Sequence, residues 1–159
     1  PVSAENLRAL CSDCATRRGI DLVCEADIEP DQTPDPNCPF CDHRRMRAPV
    51  AENGTVFAIL DLHPVTPGHT LVIPRRHTPT LFTMTGRERR DCDDLLCYLR
   101  SRLEREDPTI RGFNVGANCG ETAGQTIFHA HIHLIPRRVG DTSRPRGGVR
   151  GVVPDRMGY

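Results

Sequence analysis

Residues 125–135, near the C-terminal end of the chain, alternate three histidines with mostly apolar side chains. Alternation with a period of two predicts a β-strand, because successive side chains on a strand point to opposite faces. His129, His131 and His133 would then project from one face of that strand. The other face would be mostly apolar and able to pack into a core; it would comprise Thr126, Phe128, Ala130, Ile132 and Leu134. A strand that lines up three imidazoles is suited to binding a metal ion or to chemistry on an anion.

Length and charge favour one folded domain with no general affinity for nucleic acid or membranes. The chain has 159 residues with 21 basic and 21 acidic side chains, and a single core is typical of that length. It contains no apolar run near the roughly 20 residues that span a bilayer, and residues 1–10 are too polar for a signal peptide. We therefore expect a cytoplasmic protein. Residues 136–159 hold six arginines against two aspartates, so we also expect a tail that faces an anion.

Eight cysteines are present, and four of them form two C-x-x-C pairs, Cys11/Cys14 and Cys38/Cys41. In an intracellular protein this spacing is typical of metal binding or redox chemistry rather than of a disulfide scaffold. The cysteines later in the chain have no partner at metal-binding spacing, and we interpret them as small buried apolar residues. These are Cys92, Cys97 and Cys119.

The sequence divides into an appendage (1–37), a compact domain (38–139) and an irregular basic tail (140–159). The appendage combines a short predicted helix, 6–18, with a proline-rich acidic linker at 29–36. Strands are predicted at 55–60, 70–73 and 111–117 in addition to the histidine strand. Thr85-Gly-Arg-Glu88 has the spacing of a helix capping box, and Asp107-Pro108 ends the helix. Its apolar stripe is Leu95, Leu96, Leu99 and Leu103. This mixture predicts an α+β fold.

Together these features resemble the histidine triad (HIT) family of nucleotide hydrolases and transferases. The family signature alternates three histidines with apolar residues, and residues 129–135 match it throughout. Four further motifs follow the family's order: Cys38-Pro-Phe-Cys41, Asp61, Gly68–Pro74 followed by His77, and Asn118 before Gly124-Gln-Thr126. The resemblance spans about residues 38–139. It implies a HIT-like fold with an antiparallel sheet of about five strands, one long helix and a short one, and it implies a homodimer.

The resemblance assigns His131 as the nucleophile that attacks the α-phosphorus of a nucleotide. A neutral imidazole can do this, because one ring nitrogen keeps its proton, held by a backbone carbonyl, while the other is free. The implied donors to the phosphoryl oxygens are His133, Gln125 and Thr126. The resemblance places His69 and Asn118 at the phosphate and ribose. It also implies that the Asp61 carboxylate accepts hydrogen bonds from the ribose hydroxyls. The implied base pocket comprises Pro39, Phe40, Ile59 and Leu62.

The resemblance also implies one structural zinc ion per chain, held by Cys38, Cys41, His77 and His129. Two sulfurs and two nitrogens would make a closed tetrahedral site without an open position for hydrolysis. The sequence leaves alternatives open. One is a four-thiolate site from the two C-x-x-C pairs. Others are a second metal on Cys11 and Cys14 with Cys24 and His43, or a redox disulfide.

We therefore expect a hydrolase that cleaves the α-phosphate linkage of an adenine nucleotide conjugate. Dinucleoside polyphosphates such as diadenosine tetraphosphate, and nucleoside phosphoramidates, are the substrates implied. The arginine-rich C-terminal segment, starting at Arg137 and Arg138, slightly favours polyphosphates. One alternative is a nucleotidyltransferase or phosphorylase that uses the same intermediate. Another is a nucleotide-binding sensor or adaptor, in which residues 1–37 recruit a partner.

Overall fold

The structure is a computed structural model that describes residues 33–42 and 46–157, and the account below concerns these residues. They form a five-stranded antiparallel sheet in the order β1-β2-β3-β5-β4. Its strands are β1 (Ala51–Asn53), β2 (Val56–Leu60), β3 (Thr70–Pro74), β4 (Ile110–Gly116) and β5 (Ile132–Arg138), and one long helix, α1 (Gly86–Glu106), packs on it. This confirms the predicted α+β fold. The helix predicted at 6–18 lies outside the described residues, and no described helix could cross a membrane.

Helix α1 begins and ends where the local sequence signals predict. The Thr85 hydroxyl accepts the Glu88 N–H at 3.2 Å, and the Glu88 carboxylate accepts the Thr85 N–H at 2.8 Å, so two N–H groups of the first turn are satisfied. The helix ends at Glu106, just before Asp107-Pro108. Of its predicted leucine stripe, Leu95 and Leu99 are each 2% exposed, whereas Leu96 and Leu103 are half-buried. Helix α1 therefore packs on the sheet chiefly through Leu95 and Leu99.

Both faces of the sheet are covered, which explains the nearly continuous apolar runs of β2 and β3. Alternate β2 residues point to opposite sides, with Val56 and Ala58 toward α1 and Phe57 and Ile59 away from it. The α1 side holds the larger core. The opposite side holds a second core made of Cys38, Phe40, Phe57, Ile59, Leu71 and Ile73. This second core holds the C-x-x-C segment against the sheet.

The predicted histidine strand is shorter than expected. Strand β5 begins at Ile132, so His133 lies within it whereas His129 and His131 precede it. Its pairing with the neighbouring strand β3 stops at Ile132, opposite Val72. As a result Thr126 and Phe128 are exposed instead of joining the apolar face. The remaining members of that face are buried in the α1-side core; they are Ala130, Ile132 and Leu134.

Strand β1 was not predicted, although Asn53-Gly54 is a hairpin signal. It pairs with β2 across a two-residue turn, with Asn53 opposite Val56. The Asp91 carboxylate of α1 accepts the N–H of Thr55 at 2.9 Å and its hydroxyl at 2.8 Å. These bonds tie the hairpin to the helix.

Candidate functional site

His131 is held in one orientation by the backbone that precedes it. Its Nδ1 lies 2.7 Å from the carbonyl oxygen of His129, so Nδ1 carries the proton and donates it to that oxygen. Nε2 then keeps its lone pair. The ring is 7% exposed and packs edge-on against Phe40, with ring centroids 5.5 Å apart. An imidazole fixed through Nδ1, with no hydrogen bond to Nε2 among the described residues, has the orientation that a histidine nucleophile needs.

His133 and His69 form a hydrogen-bonded pair beside His131. The Nε2 of His69 lies 2.9 Å from the Nδ1 of His133, and the rings of His133 and His131 are 5.2 Å apart. Burial, followed by the neighbouring histidines, lowers the pKa of His133 to about 4. Burial also lowers the pKa of His69, although Asp61 opposes this. Both rings are therefore neutral near pH 7.

Asp61 lies behind His69. One carboxylate oxygen is 3.4 Å from the Nδ1 of His69, and the other accepts the N–H of His63 at 2.8 Å. The N–H of Val65 donates to the same Nδ1 of His69, at 3.3 Å. Asp61 thus contacts His69 and the backbone of its own loop.

The Gln125 side chain bonds to the protein backbone. It is 3% exposed, and its oxygen accepts the Gly120 N–H at 2.8 Å. Its nitrogen donates to the carbonyl oxygens of Pro79 at 2.6 Å and Ile127 at 3.0 Å. In this structure the amide braces the loop that precedes the histidines, while Thr126 is exposed.

His69, His133 and Asn118 share a cleft of about 360 Å³ at the β4 side of the sheet. The rest of its lining is largely apolar and includes Val65, Val115, Ile135, Val149 and Val152. The last two belong to a 3₁₀ helix, Gly148–Val152, in the C-terminal tail. Sequence reasoning missed this wall; the available signal was a cluster of valines within an arginine- and glycine-rich segment.

The predicted base-pocket residues do not line this cleft. Phe40 and Ile59 are each 6% exposed and belong to the second core. Leu62 is 64% exposed, and Pro39 is exposed as well. The structure thus separates the four residues into two buried and two exposed side chains.

The four predicted metal ligands come together on the face opposite α1, although they lie far apart in the sequence. The Nδ1 of His129 is 3.4 Å from the Cys38 sulfur and 3.6 Å from the Cys41 sulfur. The Cys41 sulfur is in turn 3.3 Å from the Nδ1 of His77. Tetrahedral zinc bonds of about 2.3 Å to sulfur and 2.0–2.1 Å to nitrogen would place these atoms about 3.6 Å apart. The four residues therefore form a possible Cys2His2 metal site.

The protonation states and hydrogen bonds around this site suit a metal. The Nε2 of His129 lies 2.8 Å from the carbonyl oxygen of Pro74, so it donates there and Nδ1 turns its lone pair toward the sulfurs. Burial lowers the pKa of His129 to about 4 and raises the pKa of the Cys41 thiol to about 11. A bound cation would offset the thiol's preference for its neutral form.

Asp61, His69 and His133 also place three potential ligand atoms close together. Two nitrogens bound to one tetrahedral ion would be about 3.4 Å apart, whereas these two imidazoles approach to 2.9 Å. This is a hydrogen-bond distance. We therefore interpret His69 and His133 as a hydrogen-bonded pair, with an Asp61 oxygen 3.4 Å from the other nitrogen of His69.

The remaining cysteine predictions have mixed outcomes. Cys92 is buried as expected, but Cys97 is exposed and Cys119 is half-buried, so the prediction is wrong for these two. Cys97 lies on the outer side of α1, away from the leucines that face the sheet. The alternative ligands Cys11, Cys14, Cys24 and His43 lie outside the described residues.

Comparison with known proteins assigns this fold and its histidine motif to one family. Residues 46–140 match the HIT domain, which is more than half of the chain. The protein belongs to the HIT family.

Solved structures and curated proteins agree with this assignment. A crystal structure of a HIT family protein from Bacillus anthracis is 38% identical, with a TM-score of 0.62, over 67% of this chain and 77% of that one. A Zn-bound histidine triad family protein from Mycobacterium smegmatis is 34% identical, with a TM-score of 0.55, over 67% of this chain and 78% of that one. An AP-4-A phosphorylase of Mycobacterium tuberculosis is 31% identical over 78% of this chain and 67% of its own length.

Proposed function

We propose that this protein hydrolyses the α-phosphate linkage of nucleotide conjugates through a nucleotidyl intermediate on His131. Proteins of the HIT family bind nucleotides, and the family includes both hydrolases and phosphorylases. The observation that carries the proposal is the 2.7 Å contact from the Nδ1 of His131 to the carbonyl oxygen of His129. It leaves one ring nitrogen free to attack phosphorus.

The reaction proceeds in two displacements. The Nε2 lone pair of His131 attacks the α-phosphorus, a phosphorus–nitrogen bond forms, and the leaving group departs and takes up a proton. Water then attacks the same phosphorus, the phosphorus–nitrogen bond breaks, and a nucleoside monophosphate is released. The His129 carbonyl accepts the Nδ1 proton throughout and disperses the positive charge on the ring.

The other proposed roles follow the family pattern. His133 and Thr126 donate to the phosphoryl oxygens, and Asn118 and His69 contact the phosphate and ribose. Gln125 contributes by holding the loop from Gly120 in place, as its hydrogen bonds support. Asp61 binds ribose hydroxyls, and Phe40, Ile59 and Leu62 contact the base.

We further propose that the Cys2His2 site holds structural zinc. The spacing of its four ligand atoms supports this, and the similar mycobacterial structure is Zn-bound. Such a site would join the C-x-x-C segment to the residue whose carbonyl orients His131. Its four protein ligands would leave no open position for substrate.

The arginines at the end of β5 do not support a preference for polyphosphates. Arg137 pairs with Asp141 through two contacts of 2.8 Å, and Arg138 pairs with Asp107 at 2.5 Å. Dinucleoside polyphosphates and phosphoramidates therefore both stay as proposed substrates.

The expected homodimer and cytoplasmic location also stay predictions.

Phosphorolysis is the second candidate function, favoured by the similarity to the AP-4-A phosphorylase. It would use the same His131 intermediate, with inorganic phosphate in place of water. Diadenosine tetraphosphate incubated with and without phosphate separates the two: hydrolysis releases AMP, whereas phosphorolysis releases ADP from the cleaved end. Binding without release of either would favour the sensor or adaptor.

The experiment that tests the proposal is trapping of the adduct. Wild-type protein, quenched during turnover of diadenosine tetraphosphate and of an adenosine phosphoramidate, should carry AMP on His131 in peptide mass spectra. His131→Asn should lose at least about a thousandfold in rate. The exposed His63→Asn is the matched control and should keep wild-type activity. An adduct on any other side chain would contradict the proposal.

A further inference from the structure

The end of the C-terminal tail is a small folded unit that its own contacts hold together. The 3₁₀ helix Gly148–Val152 is followed directly by a second one. The Arg150 side chain donates from Nε and Nη2 to the carbonyl oxygen of Arg156, at 3.2 and 3.0 Å. A Cβ at Gly147, whose φ is +95°, would collide with the carbonyl oxygen of Met157. These contacts give the tail a defined shape.

The folded tail supplies two side chains to the cleft that His133 and Asn118 share. Val149 and Val152 line this cleft, and they are 60% and 78% exposed. Most of their apolar surface is therefore open to a ligand. The tail also packs on strand β4, because a Cβ built at Gly148 would lie 3.4 Å from the amide nitrogen of the β4 residue Asn114.

The cleft lies on the leaving-group side of the proposed phosphate position. It is lined by His133 and Asn118, which the proposed function places at the phosphate, whereas His131 and the base-pocket residues Phe40 and Ile59 do not line it. In an in-line displacement the leaving group departs on the side of phosphorus opposite the nucleophile. A group that leaves on the side away from His131 would therefore enter the cleft.

The lining of the cleft suits an uncharged group. No lysine, arginine, aspartate or glutamate of the described residues lines it. A polyphosphate chain would need cationic partners there, whereas apolar walls are stabilised by covering them with apolar surface. The volume of about 360 Å³ is at the lower end of the range for small-molecule sites. The cleft therefore suits one aromatic or branched aliphatic group.

We propose that Val149 and Val152 are specificity-determining residues that hold an uncharged, apolar leaving group beside His133. This proposal rests on the proposed function and deepens it, because it favours AMP conjugates of apolar amines over polyphosphates. Both valines lie beyond residue 140, where the match to the HIT domain ends. The contact is therefore a feature of this chain's own tail.

The test uses two AMP phosphoramidates, one of ethylamine and one of 2-phenylethylamine. The bond that breaks is the same in both, and only the second carries an apolar ring. Because burial of that ring is favourable, wild-type kcat/KM should be at least about 10-fold higher for the phenylethyl conjugate. A wild-type protein that does not distinguish the two conjugates would overturn the proposal.

Substitution of the valines tests their role directly. Val149→Ala and Val152→Ala should each lower kcat/KM for the phenylethyl conjugate by about 3- to 10-fold, chiefly through KM, and for the ethyl conjugate by less than about twofold. Val153→Ala is the matched control, since Val153 is the next residue of the tail, is 53% exposed and does not line the cleft. It should follow wild type on both conjugates. Equal losses on the two conjugates in the variants of Val149 and Val152, or no loss on either, would overturn the proposal.

An uncleavable analogue of the phenylethyl conjugate, with a methylene group in place of the bridging N–H, separates the two possible failures. If wild-type protein releases AMP from neither conjugate, the proposed function fails. Nuclear Overhauser effects between the phenyl protons of the analogue and the methyl groups of Val149 and Val152 would still support the inference about the cleft. Their absence would overturn it.

Discussion

His129 uses its two ring nitrogens on opposite sides, with Nε2 bonded to the carbonyl oxygen of Pro74 at 2.8 Å and Nδ1 directed at the two cysteine sulfurs. Its own carbonyl oxygen accepts the Nδ1 proton of His131. One residue therefore connects the end of β3, the candidate metal centre and the candidate nucleophile. A disturbance at the metal centre is expected to reach His131 through this connection.

Removal of the metal should destabilise the domain. We expect purified protein to contain about one zinc ion per chain, and Cys41→Ser to contain less than about a tenth of that. Because a ligand that binds only the folded state stabilises it, the variant should lose about 3–4 kcal/mol or more in zinc-replete buffer. Elemental analysis measures the zinc content, and urea unfolding measures the loss of stability. Cys97→Ser, at an exposed cysteine, is the control, and a zinc content unchanged in Cys41→Ser would contradict the assignment.

The sequence predicted the parts of the fold that depend on local signals. Strands β2, β3 and β4 lie within one residue of the predicted bounds, because each is a compact apolar run. The capping box at Thr85 and the stop at Asp107-Pro108 placed α1 for the same reason. The start of β5 was wrong because it depends on pairing with a distant strand, and the ladder with β3 stops at Ile132 opposite Val72.

In the candidate site, too, the sequence predicted some features, whereas others depend on the packed structure. The order of the HIT motifs was enough to choose Cys38, Cys41, His77 and His129 as one ligand set. What each polar side chain bonds to was not predictable, because that depends on the packed loops. Gln125, predicted to donate to the phosphate, bonds to Gly120, Pro79 and Ile127.

Gly54 is required in the turn between β1 and β2. Its φ is +50°, and a Cβ there would collide with the Asp91 carboxylate. The left-handed conformation disfavours other residues by about 1–2 kcal/mol, and the collision adds to this. Gly54→Ala should therefore lower the free energy of unfolding by about 2–4 kcal/mol in urea.

Gly112→Ala is the matched control for Gly54→Ala, because no atom lies within 4 Å of a Cβ built at Gly112. It should lose no more than about 1 kcal/mol. If the two variants were equally stable, the contact between the turn and α1 would not have the role assigned to it.

Leu99 should be among the costliest positions of α1 to truncate, because its side chain fills the core between the helix and the sheet. It is 2% exposed and packs in the α1-side cluster. Leu99→Ala should destabilise the protein by about 2–5 kcal/mol, as a buried cavity does. Leu62→Ala, at a leucine that is 64% exposed, should change the urea midpoint little. A tolerated Leu99→Ala would mean that this face of the helix is not packed on the sheet.

Acid should weaken the two ion pairs formed by the arginines at the end of β5. The hydroxyl of Thr109, followed by Arg138, lowers the pKa of Asp107 to about 2. Arg137 and the Arg138 N–H lower the pKa of Asp141 to about 2. Both aspartates are charged in the folded and unfolded chain above about pH 4, so their stabilisation is complete there. Between about pH 4 and pH 2 the unfolded chain binds protons first, and stability must fall as the pH falls.

The thermal unfolding midpoint of Asp141→Asn, measured as a function of pH, tests whether the charge of Asp141 causes this loss of stability. The substitution removes the charge at every pH, so the variant should be less stable than wild type at pH 6, and the difference should shrink toward pH 2. Asp155→Asn, at an exposed aspartate near the other end of the tail, serves as the control and should follow wild type throughout. A difference for Asp141→Asn that stays constant from pH 6 to pH 2 would show that the charge of Asp141 is not what stabilises the end of β5.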